Sequence, residues 1–218
     1  PQWSNFAIVI REENMGLFFR NSVIISVVTV AGVVLTSAPS AYAFAKLRFP
    51  GRDTIFAVLL ATLMIPETVL LIPNFLIVSR FGWIGTLAGL TVPFFASAFF
   101  IFLLRQFFSQ IPNAIVESAR IDGSSHFGIL VGIVVPLSRA PLFTLSFLAF
   151  NGAWNALQWP LVVTQTPTWR PITVGLTKYI TEAGPQTQLR MAGALIALVP
   201  TVLVYLVAQR QITEAIAN

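Results

Sequence analysis

Glu117, Arg120 and Asp122 stand together in Glu117-Ser118-Ala119-Arg120-Ile121-Asp122-Gly123, a short charged segment between long apolar runs. Side chains of both signs at this spacing suit recognition of another surface. Two further places carry polar chemistry. Glu67 is the one acidic residue inside an otherwise uncharged run. A buried charge at the bilayer centre costs about 2.5 to 3.5 kcal/mol on insertion scales, so Glu67 must face protein or water. It either lines a polar path or sits at an interface where a helix ends near Pro66. Asn151, Asn155 and Gln158 recur at spacings of four and three, which places their amides on one helical face beside Trp154. Amides next to an indole suit a polyhydroxylated solute, and equally an interhelical amide contact. Bond-making chemistry is poorly supported: the sole histidine, His126, falls in the charged loop and reads as a helix-surface residue, with no nucleophile and base at membrane depth.

The elements that must hold these residues follow from composition. Of 218 residues 56% are hydrophobic and 10% charged, against about 25% charged in a soluble domain, so lipid is the main solvent of this chain. With no cysteine there is neither a disulfide framework nor a thiolate metal site. The net charge of +5 is spread between apolar runs rather than gathered on one face, which argues against nucleic acid as a partner. Five runs are long enough for a membrane helix of about 20 residues: 21–45, 54–79, 81–104, 140–169 and 191–209. The fold class expected is therefore all-α and polytopic, a single transmembrane domain over 1–218 with five transmembrane helices. Arg11, Glu12, Glu13 and Arg20 precede the first run, which is no signal peptide.

Lys46, Arg48 and Arg52 crowd the first connection, whereas Arg80 stands alone in the next. The positive-inside rule then puts the 46–52 turn and the loop 105–139 in the cytoplasm, and Arg80 and the loop 170–190 outside. Trp83, Trp159 and Trp169 fall toward the outer interface. An odd number of spans and an initial Pro lead us to expect a longer parent with a preceding helix. Pro39, Pro66, Pro73, Pro93, Pro160 and Pro200 interrupt the runs, so freed carbonyls must find partners on neighbouring helices or in a wet cavity. Gly85 and Gly89 at GxxxG spacing, and the ladder Ser37, Ala41, Ala45, read as packing faces.

Within 105–140 the pattern is regular. Pro112 starts a helix in which Ala114, Ser118 and Ala119 form a small-residue surface, Glu117 and Arg120 pair at i, i+3, and Asp122-Gly123 stops the turn. Ser124 or Ser125 caps a second helix through Val135. An ordinary amphipathic surface helix would read the same way.

Glu117 to Ser125, followed by Ile133-Val134-Val135-Pro136-Leu137-Ser138-Arg139-Ala140-Pro141, resembles the EAA loop of binding-protein-dependent ABC-transporter permeases. Residues 41–52, residues 97–108, Trp154-Asn155 and Trp159-Pro160-Leu161 resemble the carbohydrate-uptake branch, of the maltose inner-membrane permease type, and the likeness covers roughly 20–210. It implies a multi-pass subunit of a bacterial or archaeal cell (inner) membrane, six-helical in the parent. It further implies a second permease, favouring a heterodimer, two cytoplasmic ATP-binding cassette subunits and an extracytoplasmic solute-binding protein. By that resemblance Glu117, Ser118, Ala119, Arg120, Ile121, Asp122 and Gly123 form the coupling helix that enters a cleft of the ATPase; Ser118 departs from the usual Ala. Sugars or sugar-like solutes, glycerol phosphates among them, are the implied cargo. Glu67, Asn151, Trp154, Asn155 and Gln158 are the candidate solute path. ATP and Mg belong to the partner ATPases, since Lys46 and Lys178 lack the preceding Gly of a phosphate-binding GxxxxGK[ST] loop. An ion-coupled secondary transporter would need more intramembrane ionisable groups than Glu67. A purely structural membrane subunit is the other rival.

Overall fold

Helices dominate the computed structural model, which describes residues 2–11, 14–181 and 184–217. In chain order they are α1 (Ser4–Arg11), α2 (Met15–Lys46), α3 (Arg52–Ala61), α4 (Glu67–Arg80), α5 (Leu87–Thr91), α6 (Ala98–Gln110) and α7 (Asn113–Ile121). There follow α8 (His126–Ile129), α9 (Val135–Leu137), α10 (Arg139–Asn155), α11 (Gln158–Val163), α12 (Ile172–Gly175) and α13 (Thr187–Ala217). Ile180–Thr181 pairs with Gly184–Pro185 in a minimal antiparallel ladder.

The central element is α2, which packs against both α6 and α10, while α10 also packs on α13. Its 32 residues span about 48 Å, more than the roughly 30 Å hydrocarbon core. Asn14 starts it from the left-handed region (φ 69°), a conformation Asn tolerates better than most residues. At the other end Phe49 precedes Pro50, which disfavours helix, and Gly51 at φ 79° turns the chain into α3. The expected ladder of Ser37, Ala41 and Ala45 is an inward face: Ser37 and Ala41 are fully buried, and Ala45 packs against the same core.

Two helices, Met15–Lys46 and Thr187–Leu206 within α13, are long and apolar enough to cross a membrane, and three bent helix pairs bring the number of candidate spans to five. The bends show how far the interruptions expected at the prolines go. The run 54–79 is broken by 103° between Met64 and Glu67, because Pro66 has no N–H to continue the ladder. The run 81–104 opens with a turn at Gly82 and Gly85, both at positive φ, and then bends by 46° between Phe94 and Ala98. The run 140–169 is one continuous helix only to Asn155, after which α11 and shorter turns follow, with Pro160 and Pro167 among them. Lack of charge gave no warning of these breaks.

The turns sort into two ends of α2, marked by Asn21 and Tyr42, roughly 30 Å apart by helical rise. At the first, the Asn21 amide donates to the carbonyls of Thr168 and Arg170 (both 3.0 Å), and Ile172 N–H donates to Ser22 Oγ (2.8 Å). Here Trp159, with Trp83 and Trp169 partly buried around it, joins Ile25, Val78, Leu90 and Val163 in one apolar cluster, and its Nε1–H donates to the Gly89 carbonyl (3.0 Å). Trp83, Trp159 and Trp169 thus share one end of α2. At the second end lie the 44–52 turn, the close of α6, and α7 with α8, so the two stretches read as sharing one side do so. The N-terminal α1, which the charge pattern around it obscured, buries Val9 and packs on α13. Glu12 and Glu13 lie outside the described residues.

Candidate functional site

The segment from Gln110 to Ser138 builds a short surface helix with two well-defined ends. Pro112 is the residue before α7 rather than its first member, with extended ψ of 134°. At the far end Ser124 N–H donates to Ala119 O (2.9 Å) and Gly123 N–H to Arg120 O (3.1 Å), with Gly123 at φ 84°. This pair of bonds is the Schellman termination, which the left-handed glycine permits. Ser125 then caps α8, its Oγ accepting from Gly128 N–H (3.1 Å). The chain runs on through a π-helical stretch, Leu130–Val134, just before Pro136, which offers no N–H to Gly132 O. It turns by 85° into α10.

The segment 116–123 divides between two faces. Val116 and Ala119 are buried, in the same cluster as Ala38, Ala41 and Tyr42 of α2. Glu117, Ser118, Arg120, Ile121, Asp122 and Gly123 are exposed, Ile121 by 87%. Ala119 therefore faces the core, and the expected small-residue surface of Ala114, Ser118 and Ala119 is not one continuous patch. Nor do Glu117 and Arg120 pair: among the described residues the ion pair within 4.0 Å is Arg52 with Asp53 (3.0 Å). Glu117 and Arg120 are thus both available to a partner surface, below an apolar Ile121 tip.

Sequence reasoning missed what holds α7 in place. Lys46 Nζ, at the end of α2, donates to the Ile111 carbonyl and to Asn113 Oδ1 (3.0 Å) at the start of α7. Four residues earlier, Tyr42 Oη lies 3.2 Å from His126 Nδ1, just past the end of α7. His126 is thus tied to a transmembrane helix as well as lying on the surface. Arg105 Nε donates to Phe44 O (3.3 Å), and its guanidinium sits 4.0 Å above the Phe56 ring. The visible signal was a lysine ending an apolar run, which the positive-inside rule had already accounted for.

The candidate solute path is less coherent. Glu67 is exposed in the first turn of α4, directly after the Pro66 bend, so the helix does end there; α3 and the turn after it put that point about 20 Å from Arg52 along the helix rise. Asn151 and Asn155 do share a face, for Asn155 Nδ2 donates to both the carbonyl and Oδ1 of Asn151 (2.9 Å each). Gln158 does not join them, because α10 ends at Asn155 and Gln158 opens α11. The break at Ala156 is fixed by Thr173 Oγ1, which donates to the Ala156 carbonyl (2.7 Å). Trp154 is 1% exposed, stacked on Phe150 and edge-on to Phe19, with Nε1–H donating to Ala197 O (2.9 Å) on α13. In this conformation it is a packing residue between α10 and α13, and offers no open ring face.

A helical domain with α2 at its centre and a capped surface helix projecting from one end has clear counterparts. Residues 29–217 match the family described as binding-protein-dependent transport system inner membrane component. The chain belongs to that family. The sn-glycerol-3-phosphate transport system permease protein UgpE of Yersinia enterocolitica is 33% identical over 205 residues, 93% of this chain and 73% of the relative. The UgpE protein of Agrobacterium fabrum is 35% identical over 200 residues, 91% of this chain and 71% of the relative. Among solved structures, a bacterial ABC transporter involved in the import of the acidic polysaccharide alginate superposes with a TM-score of 0.86 at 25% identity, covering 96% of this chain and 79% of that one. The MetNI methionine ABC transporter shares the fold alone, at a TM-score of 0.63 and 15% identity over 93% of this chain and 98% of that one. This protein is a membrane permease of the ABC-importer type. The recognised carbohydrate-branch resemblance and the all-α polytopic class agree with these relatives.

Proposed function

We propose that this chain forms, with a second permease subunit, the translocation path of an ATP-driven importer for sugars or sugar-like solutes, including polyol phosphates. It docks through α7 onto one of two cytoplasmic ATPase subunits, which bind the ATP and Mg, and receives solute from an extracytoplasmic binding protein. The single observation that carries the docking reading is the two-faced geometry of α7: Val116 and Ala119 anchor it, while Glu117, Arg120 and Ile121 stand free on its outer side. Support for the cargo comes from the relatives that import glycerol phosphate and alginate. The chain supplies no catalytic group of its own, and it resides in the inner membrane as a multi-pass subunit. Glu67, Asn151, Asn155 and Gln158 are the polar exposed or half-exposed groups we assign to the path, with Trp154 behind Asn155 as its packing support.

ATP-driven closure of the ATPases displaces α7, and the spans it carries expose the path to alternate sides. Co-purification tests the assembly. The unaltered complex should retain both ATPase subunits through detergent solubilisation, and Glu117→Lys with Ile121→Asp should lower the amount of ATPase retained while the two permeases stay together. Undiminished retention of both ATPases by that variant would contradict docking through α7.

A further inference from the structure

The helices that flank α7 in sequence are α6 and α8, yet the side-chain hydrogen bonds that reach the 111–126 segment from elsewhere among the described residues all come from α2. We propose that Tyr42 and Lys46 form a two-point grip through which α2 carries the coupling helix as one rigid unit. The proposal rests on α7 being the docking element.

Tyr42 and Lys46 are four residues apart in a continuous helix, so they lie one above the other on a single face. Lys46 takes the entry of α7. Its ammonium satisfies the Ile111 carbonyl just past the end of α6 and the Asn113 side chain at the first helical position. Tyr42 takes the exit, with its hydroxyl against His126 Nδ1 after the Schellman turn. Between the two points, Val116 and Ala119 lie in one buried cluster with Ala38, Ala41 and Tyr42 itself. Each contact alone is modest, because a hydrogen bond to a charged group contributes only about 1.5 to 3 kcal/mol. Two contacts at opposite ends of a nine-residue helix, with packing between them, remove rotation as well as translation. A push on Ile121 then reaches α2 directly. Since α2 packs against both α6 and α10, it is placed to pass the displacement to the rest of the subunit. Tyr42 and Lys46 are positioning residues, acting through α7 without touching solute or nucleotide.

Distances between spin labels in the complete importer test the grip, and the absence of native cysteine leaves no background label on this chain. One pair places labels at Leu35→Cys, on the exposed side of α2, and at Ser118→Cys; the other joins Leu148→Cys on α10 to Ser118→Cys. Between the nucleotide-free and the ATP–vanadate states, the Leu35–Ser118 distance should stay constant while the Leu148–Ser118 distance shifts. Adding Tyr42→Phe with Lys46→Met should make the Leu35–Ser118 distance change with nucleotide, and Lys46→Arg in place of Lys46→Met should restore its constancy. A Leu35–Ser118 distance that changes with nucleotide in the chain with both side chains intact overturns the grip, and that measurement decides even where the double variant fails to assemble. If neither distance responds to nucleotide, the ATP-driven movement of α7 is itself wrong, and the grip falls with it.

Discussion

Thr36 Oγ1 donates to the backbone carbonyl of Phe95 at 2.5 Å, where the path from α5 into α6 bends by 46°. A bend inside a membrane frees backbone acceptors that lipid cannot satisfy, and a hydroxyl on a neighbouring helix supplies the missing donor. The Phe95 ring lies over Gly32, where an added Cβ would come within 2.1 Å of it. One turn of α2 therefore holds both the backbone and the side chain of the kink.

Replacing Thr36 by Val keeps the volume and removes the donor. The melting midpoint of the purified complex should fall, by an amount consistent with about 1 kcal/mol for the lost hydrogen bond to a partly buried acceptor. Thr36→Ser should recover most of the loss.

Gly89 is held by a stiffer neighbour, since a Cβ there would stand 2.2 Å from the Trp83 carbonyl oxygen, a backbone atom that cannot turn aside. Gly89→Ala should cost about 1 to 3 kcal/mol through overpacking. Quenching of tryptophan fluorescence by a water-soluble quencher should rise in this variant, because Trp159 loses its seat on the Gly89 carbonyl.

Gly123 holds φ 84°, a region where an L side chain costs about 1 to 2 kcal/mol. Gly123→Ala should loosen the exit of α7 while leaving the transmembrane bundle intact. In that variant, hydrogen exchange at the amide of the substituted position and at Ser124 should quicken, with the amides of α2 unchanged.

Trp154 separates packing from solute contact. Trp154→Ala should destabilise the subunit by about 3 to 5 kcal/mol, as expected for a large buried ring. Asn155→Ala, at an exposed position, should leave the melting midpoint unchanged and lower the rate of solute uptake by the assembled importer. The reverse pattern would make Trp154 the solute contact.

What was legible in the sequence follows from the physics each signal reports. Apolar run length located the candidate spans, because the bilayer sets a minimum number of uncharged residues, but it could not place their breaks. Pro66 marks its own break in the sequence, whereas the break at Asn155 goes with the Ala156 carbonyl finding its donor in Thr173. The helix at 113–121 was visible because Pro112 and Gly123 punctuate it locally. Its division into an anchored Ala119 and a free Ile121 was not, because that depends on α2 lying beneath it. The amide stripe failed at Gln158 for the same reason: spacings of four and three define a face only while one helix continues.

The most direct test of the docking claim is disulfide crosslinking in membranes, with single cysteines at Ser118 and Ile121 of this cysteine-free chain and partner cysteines in the cleft of the co-expressed ATPase. The account predicts crosslinks from both positions, with yields that change on adding ATP. An assembled, folded ATPase that crosslinks to neither position would contradict it.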